Sequence, residues 1–196
     1  MKELCEFFWD VESEEFVFKI HVEQKPPTRR GLLSVVSSIY DPLGFISPFV
    51  LSAKIVRQDM CRRKSKWDDP IPNDCLPLVN RWIEDLPALG QFSIDRCYKP
   101  ENFGEIADVQ MHHYSDASEL AYGTVSYLRF TNTDGDVHCS FLMPKSRLAP
   151  LKVLSIPRLE LAAATLAVNL HCLFLRELEI CVMDRKHVRP SGHSQC

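Results

Sequence analysis

The sequence predicts an α+β chain in which a helical unit precedes a three-stranded antiparallel sheet with one long helix. Three observations predict it. Apolar residues recur at helical spacing between residues 25 and 90, the period falls to about two between 109 and 143, and the helical period returns after Ser155. At 196 residues, with 45% apolar and 10% aromatic content, the chain can fill one large core or two small ones.

The elements follow in order. Phe7-Phe8-Trp9 and Phe16-Val17-Phe18-Lys19-Ile20, split by an acidic stretch, predict two short strands or a hairpin at an edge, and Pro26-Pro27 then breaks the chain. From Gly31, Leu32, Val35, Val36, Ile39 and Tyr40 mark one helix face, which Asp41-Pro42 should end because the residue before proline avoids α conformation. Ser47-Pro48 offers an N-cap and a first-turn proline to a second helix whose face includes Phe49, Ala53, Val56 and Met60. A third helix, roughly 76 to 86, carries Val79, Trp82, Ile83 and Leu86 and stops at Pro87. Residues 91–108, with Pro100 and Gly104, lack a clear period and are expected to form a connector.

Residues 109 to 116, 121 to 130 and 137 to 143 read as strands, the last two joined by a hairpin turn at Asn132-Thr133-Asp134-Gly135. Ser155 and Pro157 open a long helix that should bury Leu159, Ala162, Ala163, Leu166, Leu170 and Phe174. Residues 181–196 are polar and basic and are expected to be disordered.

The net charge of −3 argues against a strongly basic nucleic-acid binder, yet charge is uneven along the chain. Residues 54 to 66 carry Lys54, Arg57, Arg62, Arg63, Lys64 and Lys66 against Asp59 alone. Eight cysteines lie scattered without CxxC spacing, and no signal-peptide pattern precedes them, so a reducing intracellular setting is expected, cytoplasmic or nuclear. Apart from Cys181 and Cys196, their side chains, like Trp9, Trp67 and Trp82, are expected to be core residues. Cys181, His187, His193 and Cys196 fit no standard zinc spacing, and the apolar run 161 to 170 is shorter than a membrane span.

Two acids suggest chemistry. Asp116 ends the run His113-Tyr114-Ser115, and Glu160 lies in the first turn of the long helix, so the pair could supply half the oxygen ligands of a hard divalent cation. Equally, Asp116 could be a turn residue and Glu160 an acid favoured by the helix dipole.

Several motifs then occur in a telling order. Thr28-Arg29-Arg30-Gly31-Leu32-Leu33-Ser34, Tyr40-Asp41-Pro42-Leu43-Gly44-Phe45, Trp67-Asp68-Asp69-Pro70-Ile71-Pro72, His113-Tyr114-Ser115-Asp116-Ala117-Ser118, Ala121-Tyr122-Gly123, and Lys145-Ser146-Arg147 with Leu154-Ser155-Ile156-Pro157-Arg158-Leu159-Glu160-Leu161 resemble the Pol polyprotein of BEL/Pao retrotransposons. The resemblance spans about residues 8 to 180. It implies edge strands at the end of a reverse transcriptase region (1–24), a helical thumb/connection unit (25–90), a connector (91–108), an incomplete ribonuclease H-like domain (109–180) and a tail (181–196). No Tyr-x-Asp-Asp pattern occurs, so no polymerase site lies in these residues.

By the same resemblance, Asp116 and Glu160 would be catalytic ligands for Mg²⁺ or Mn²⁺ in two-metal hydrolysis of the RNA strand of an RNA/DNA hybrid. A third aspartate belongs on a fourth strand, for which Asp184 is the candidate, and the family's fourth acid has none. The expectation is therefore a truncated, catalytically incompetent polyprotein fragment. Residual nucleic-acid binding would fall to Arg57, Arg62, Arg63, Lys64 and Lys66, the remainder of the Pol polyprotein is the other implied partner, and no membrane is. An active ribonuclease H is the alternative. A Pao-type aspartic peptidase, a label also given to this region, would need Asp-Thr-Gly or Asp-Ser-Gly turns, and neither tripeptide is present.

Overall fold

The computed structural model describes residues 5–21, 25–178 and 188–190. The chain forms two compact units, Met1–Arg96 and Cys97–Cys196.

In the first unit, β1 (Cys5–Asp10) and β2 (Glu15–Ile20) make an antiparallel hairpin, and β3 (Ser93–Asp95) pairs with the opposite edge of β2. β3 lies inside the stretch expected to be a connector. Phe7 stacks on Phe16 at 5.0 Å between centroids and meets Phe18 and Phe45, so apolar rings weld the hairpin to the helical layer. Thr28 caps α1 (Arg29–Ser37) by accepting the Gly31 amide at 3.1 Å.

This helix is shorter than its apolar pattern predicts. Its C-cap is Ser38; Ile39 bridges Cys5, and the Tyr40 amide donates to the Cys5 carbonyl at 3.1 Å. Ile39 and Tyr40 thus leave the helix to satisfy the edge of β1, which outweighs two further helical bonds.

α2 (Ser47–Arg62) also starts differently. Ser47 is its first residue, not its cap, and its buried hydroxyl has no hydrogen-bond partner. The N-cap is Ile46, without a side-chain bond, and the Asp41 carboxylate instead holds the turn before the helix by accepting the Phe45 and Ile46 amides at 2.9 and 3.1 Å. Burial nevertheless holds the Asp41 pKa above the usual carboxylate range, those amides and Lys54 only partly offsetting it. α3 (Leu76–Asp85) runs into a 3₁₀ turn, Leu86–Gln91. Trp82 donates its indole N–H to the Phe49 carbonyl at 2.9 Å and sits in a core with Leu32, Val56, Met60 and Leu86.

The second unit is built on β4 (Ile106–Ala117), β5 (Ala121–Asn132) and β6 (Val137–Leu148), an antiparallel meander, followed by α4 (Ile156–Glu177). The β5–β6 turn falls where the sequence places it, with Gly135 at φ 90° in the left-handed region. A short fourth strand, β7 (Val188–Pro190), pairs parallel to β4, giving the order β6-β5-β4-β7. It falls within residues 181–196, expected to be disordered. Val109, Met111, Leu128, Phe130 and Leu142 from the sheet pack with Leu170 and Phe174 of α4. Among the described residues, α4 is long and apolar enough to cross a membrane by length and composition, and Leu159, Ala163, Leu166, Ala167, Leu170 and Phe174 of it are buried.

Some side chains expected in the core are at the surface. Cys5 and Cys75 are buried, but Cys97, Cys139 and Cys172 are exposed. Trp9 and Trp67 are about half exposed, each lying under a guanidinium, Arg96 at 4.6 Å and Arg29 at 4.4 Å.

Candidate functional site

Asp116 is the penultimate residue of β4, opposite Gly123, and Glu160 is the fifth residue of α4, just past the first turn in which the sequence places it. Leu170, Phe174 and Leu178 pack around Val109 and Met111, so α4 runs back along β4 and its first turn lies toward the strand end that bears Asp116. The structure therefore brings both acids to one end of the unit. Both are exposed, and neither has a hydrogen bond or ion pair among the described residues. Val109, Met111 and His113 are the β4 residues buried under α4, whereas Asp116 belongs to the alternate series with His112 and Tyr114. Pleat parity thus sets Asp116 on the side of the strand away from α4.

Among the described residues no three His, Cys, Asp or Glu side chains gather where they could hold a metal ion. Mg²⁺ needs near-octahedral oxygen ligation, which two exposed carboxylates alone do not supply. The donor set among the described residues falls short of the cation's needs. Asp184, the third expected ligand, lies outside the described residues, as do Cys181, His187, His193 and Cys196. β7 aligns Val188, Arg189 and Pro190 with His113, Tyr114 and Ser115.

The sequence reading missed an imidazole pair, His113 buried and His171 half-buried. His113 is 4% exposed, its Nδ1 lies 2.8 Å from Ser126 Oγ and its Nε2 lies 3.0 Å from His171 Nδ1. Burial first, then the neighbouring His171 and His112, push its pKa down to about 4, so the ring is neutral at physiological pH. Alternation along the strand does separate His112 from His113. Nothing local in the sequence links His113 to a helix residue so far along the chain.

The basic stretch divides into structural and free cations. Arg29 donates to the Ser65 carbonyl at 2.6 Å and to Cys61 Sγ at 3.1 Å while covering Trp67. Arg30 forks onto Asp68 at 2.7 and 3.0 Å, and a Cβ on Gly31 would lie 2.0 Å from the Pro26 carbonyl oxygen. The motifs 28–34 and 67–72 are therefore two halves of one clasp. Arg63 is also engaged, forking onto Asp74 at 3.0 and 2.6 Å and reaching Asp59 at 2.7 Å. Arg57 is half-buried with an unpartnered Nε. Of the five cations expected to face nucleic acid, Arg62, Lys64 and Lys66 are exposed and their side chains are unpaired among the described residues.

Three antiparallel strands, a helix laid over them and a last strand returning parallel beside the first make a ribonuclease H-like sheet, preceded here by a separate unit of strands and helices. The chain belongs to the Pao retrotransposon-like RNaseH-like domain family, whose model matches residues 28–188. It is thus a BEL/Pao-type retroelement Pol segment, and the matched description is of an RNase H-like domain, not a peptidase. A foamy viral protease-reverse transcriptase, solved in complex with dsDNA, is 12% identical, with a TM-score of 0.37 over 94% of this chain and 36% of that one. This chain therefore spans about a third of that protein's length. No curated protein matches it.

Proposed function

We propose that these residues hold nucleic acid as part of a retrotransposon polyprotein without cleaving it. The observation that supports this reading is that, among the described residues, no three His, Cys, Asp or Glu side chains gather where they could hold a metal ion. Two-metal hydrolysis requires cations fixed against both the attacking and the leaving oxygen. With Asp116 and Glu160 as the candidate ligands placed among the described residues, a cation would keep most of its water and have no fixed position. Arg62, Lys64 and Lys66 supply the grip on phosphates, and each phosphate neutralised releases counterions.

The test incubates the protein with a labelled RNA/DNA hybrid in Mg²⁺ and in Mn²⁺, beside an Asp116→Asn, Glu160→Gln variant. We expect retention without cleavage, with a log–log salt slope of roughly −3 for three phosphate contacts. That retention should be lost in an Arg62→Gln, Lys64→Gln, Lys66→Gln variant. Cleavage that disappears in the carboxylate variant would establish the second reading, an active metal-dependent ribonuclease H completed by a further acid.

A further inference from the structure

We infer that Trp67 is a stacking plate for an unpaired nucleobase whose flanking phosphates are held by Arg62, Lys64 and Lys66, an inference that rests on the nucleic-acid reading above. The ring is 46% exposed, directly follows Lys66, and has the Arg29 guanidinium 4.4 Å from its centroid. Arg29 is itself anchored on Ser65 and Cys61, so the plate is fixed before any ligand arrives and little side-chain freedom is lost on binding. Sites for single strands combine a basic track with such aromatic plates.

Local charge favours an anion. Arg63 is shared by Asp59 and Asp74, which leaves one negative charge, Arg30 offsets Asp68, and Asp69 keeps its charge while accepting the Lys66 amide at 2.7 Å. Arg29, Arg62, Lys64 and Lys66 outweigh the two charges left over. The exposed positive charge on Arg62, Lys64 and Lys66 has no such counterpart among the described residues. Trp9 supplies the contrast within the same chain. It too lies exposed under an arginine, but Asp10, Glu12, Glu14 and Glu15 surround it in sequence and would repel a phosphate chain. Duplex bases are already stacked, so the base offered to Trp67 must come from a single strand or a frayed end.

A short thymidine oligonucleotide is titrated into the wild-type chain, Trp67→Phe and Trp9→Phe, following intrinsic tryptophan fluorescence and, in parallel, anisotropy of the labelled oligonucleotide. Quenching should vanish in Trp67→Phe, persist in Trp9→Phe and weaken with salt. Trp67→Leu should bind about tenfold more weakly, the scale of one lost base stack. Trp67→Phe keeps a ring beneath Arg29, so its unchanged melting curve separates loss of the probe from loss of the fold. Oligonucleotide binding with quenching independent of Trp67 overturns the plate and leaves the phosphate grip. Hybrid binding without oligonucleotide binding does the same, and binding of neither overturns both. Equal Trp67 quenching by polyglutamate overturns the nucleobase in favour of an acidic peptide.

Discussion

His113 shows how one buried ring makes the second unit sensitive to acid. Its ordinary pKa of 6.5 applies in the unfolded chain, while burial, His171 and His112 hold it near 4 in the folded one. The folded state therefore binds fewer protons across that window, and stability rises with pH there. The contribution is fully present above about 6.5 and is lost as pH falls toward 4; at 1.36 kcal/mol per unit it amounts to about 3 kcal/mol. Asp41 has the opposite sign, because its folded pKa is raised and its effect on stability declines as pH rises through the carboxylate range. Urea midpoints between pH 7 and 4 should therefore slope steeply in the wild type and much less in His113→Leu, where Asp41 is unchanged. Equal slopes would show that His113 is not the group responsible. The alternation that buries one histidine of the pair was legible from the strand pattern. Its partner was not, because His171 lies on a helix that tertiary packing alone brings near.

At the scale of elements, the sequence placed most strands and helices correctly and erred at their ends, where long-range bonds decide. Ile39 and Tyr40 keep helical spacing but bond Cys5, and α2 starts at Ser47 with Ile46 as its cap, the turn before it held by Asp41. The strands extend past their alternating cores; Lys145, Ser146 and Arg147 belong to β6 although no apolar pattern marks them. The family motifs around Arg29 and Trp67 proved largely structural, which their composition does not reveal.

The C-terminus of α2 yields a sharp expectation. Ser65 donates to the Met60 carbonyl and Lys64 to that of Cys61, both at 3.0 Å, with Lys64 at φ 58° in the left-handed region. This is a Schellman cap that favours glycine. Lys64→Gly should raise stability by about 1 kcal/mol, because a side chain is strained at that φ. The same change should weaken hybrid retention and lower the salt slope by about one. Opposite signs in a urea melt and a filter-binding assay would separate backbone strain from phosphate contact. A less stable Lys64→Gly would mean that the lysine stem contributes more through packing than its backbone costs.

Each unit buries its own side chains, Met60 and Leu86 in the first and Leu128 in the second, and these three are among the most buried of the described residues. The composition allowed one core or two; the fall in apolar period near residue 109 marked the change of architecture, and the division itself lies between Arg96 and Cys97. The candidate carboxylates lie in the second unit and the free cations in the first. Their positions along the chain were legible from motifs, but the pleat parity that sets Asp116 away from α4 and the pairing that occupies Arg63 emerge only from the folded chain. If each core is its own cooperative unit, truncating one should leave the other intact. Met60→Ala and Leu128→Ala should each cost about 2–5 kcal/mol, the range for deleting a large core side chain. Amide exchange should then quicken in residues 5–96 for the first variant and in residues 97–178 for the second. Warmed until its second unit opens, the Leu128→Ala protein should still retain hybrid in a salt-dependent manner through Arg62, Lys64 and Lys66. If both variants instead quicken exchange throughout, the units unfold together, and loss of retention on heating would no longer identify which unit carries the grip.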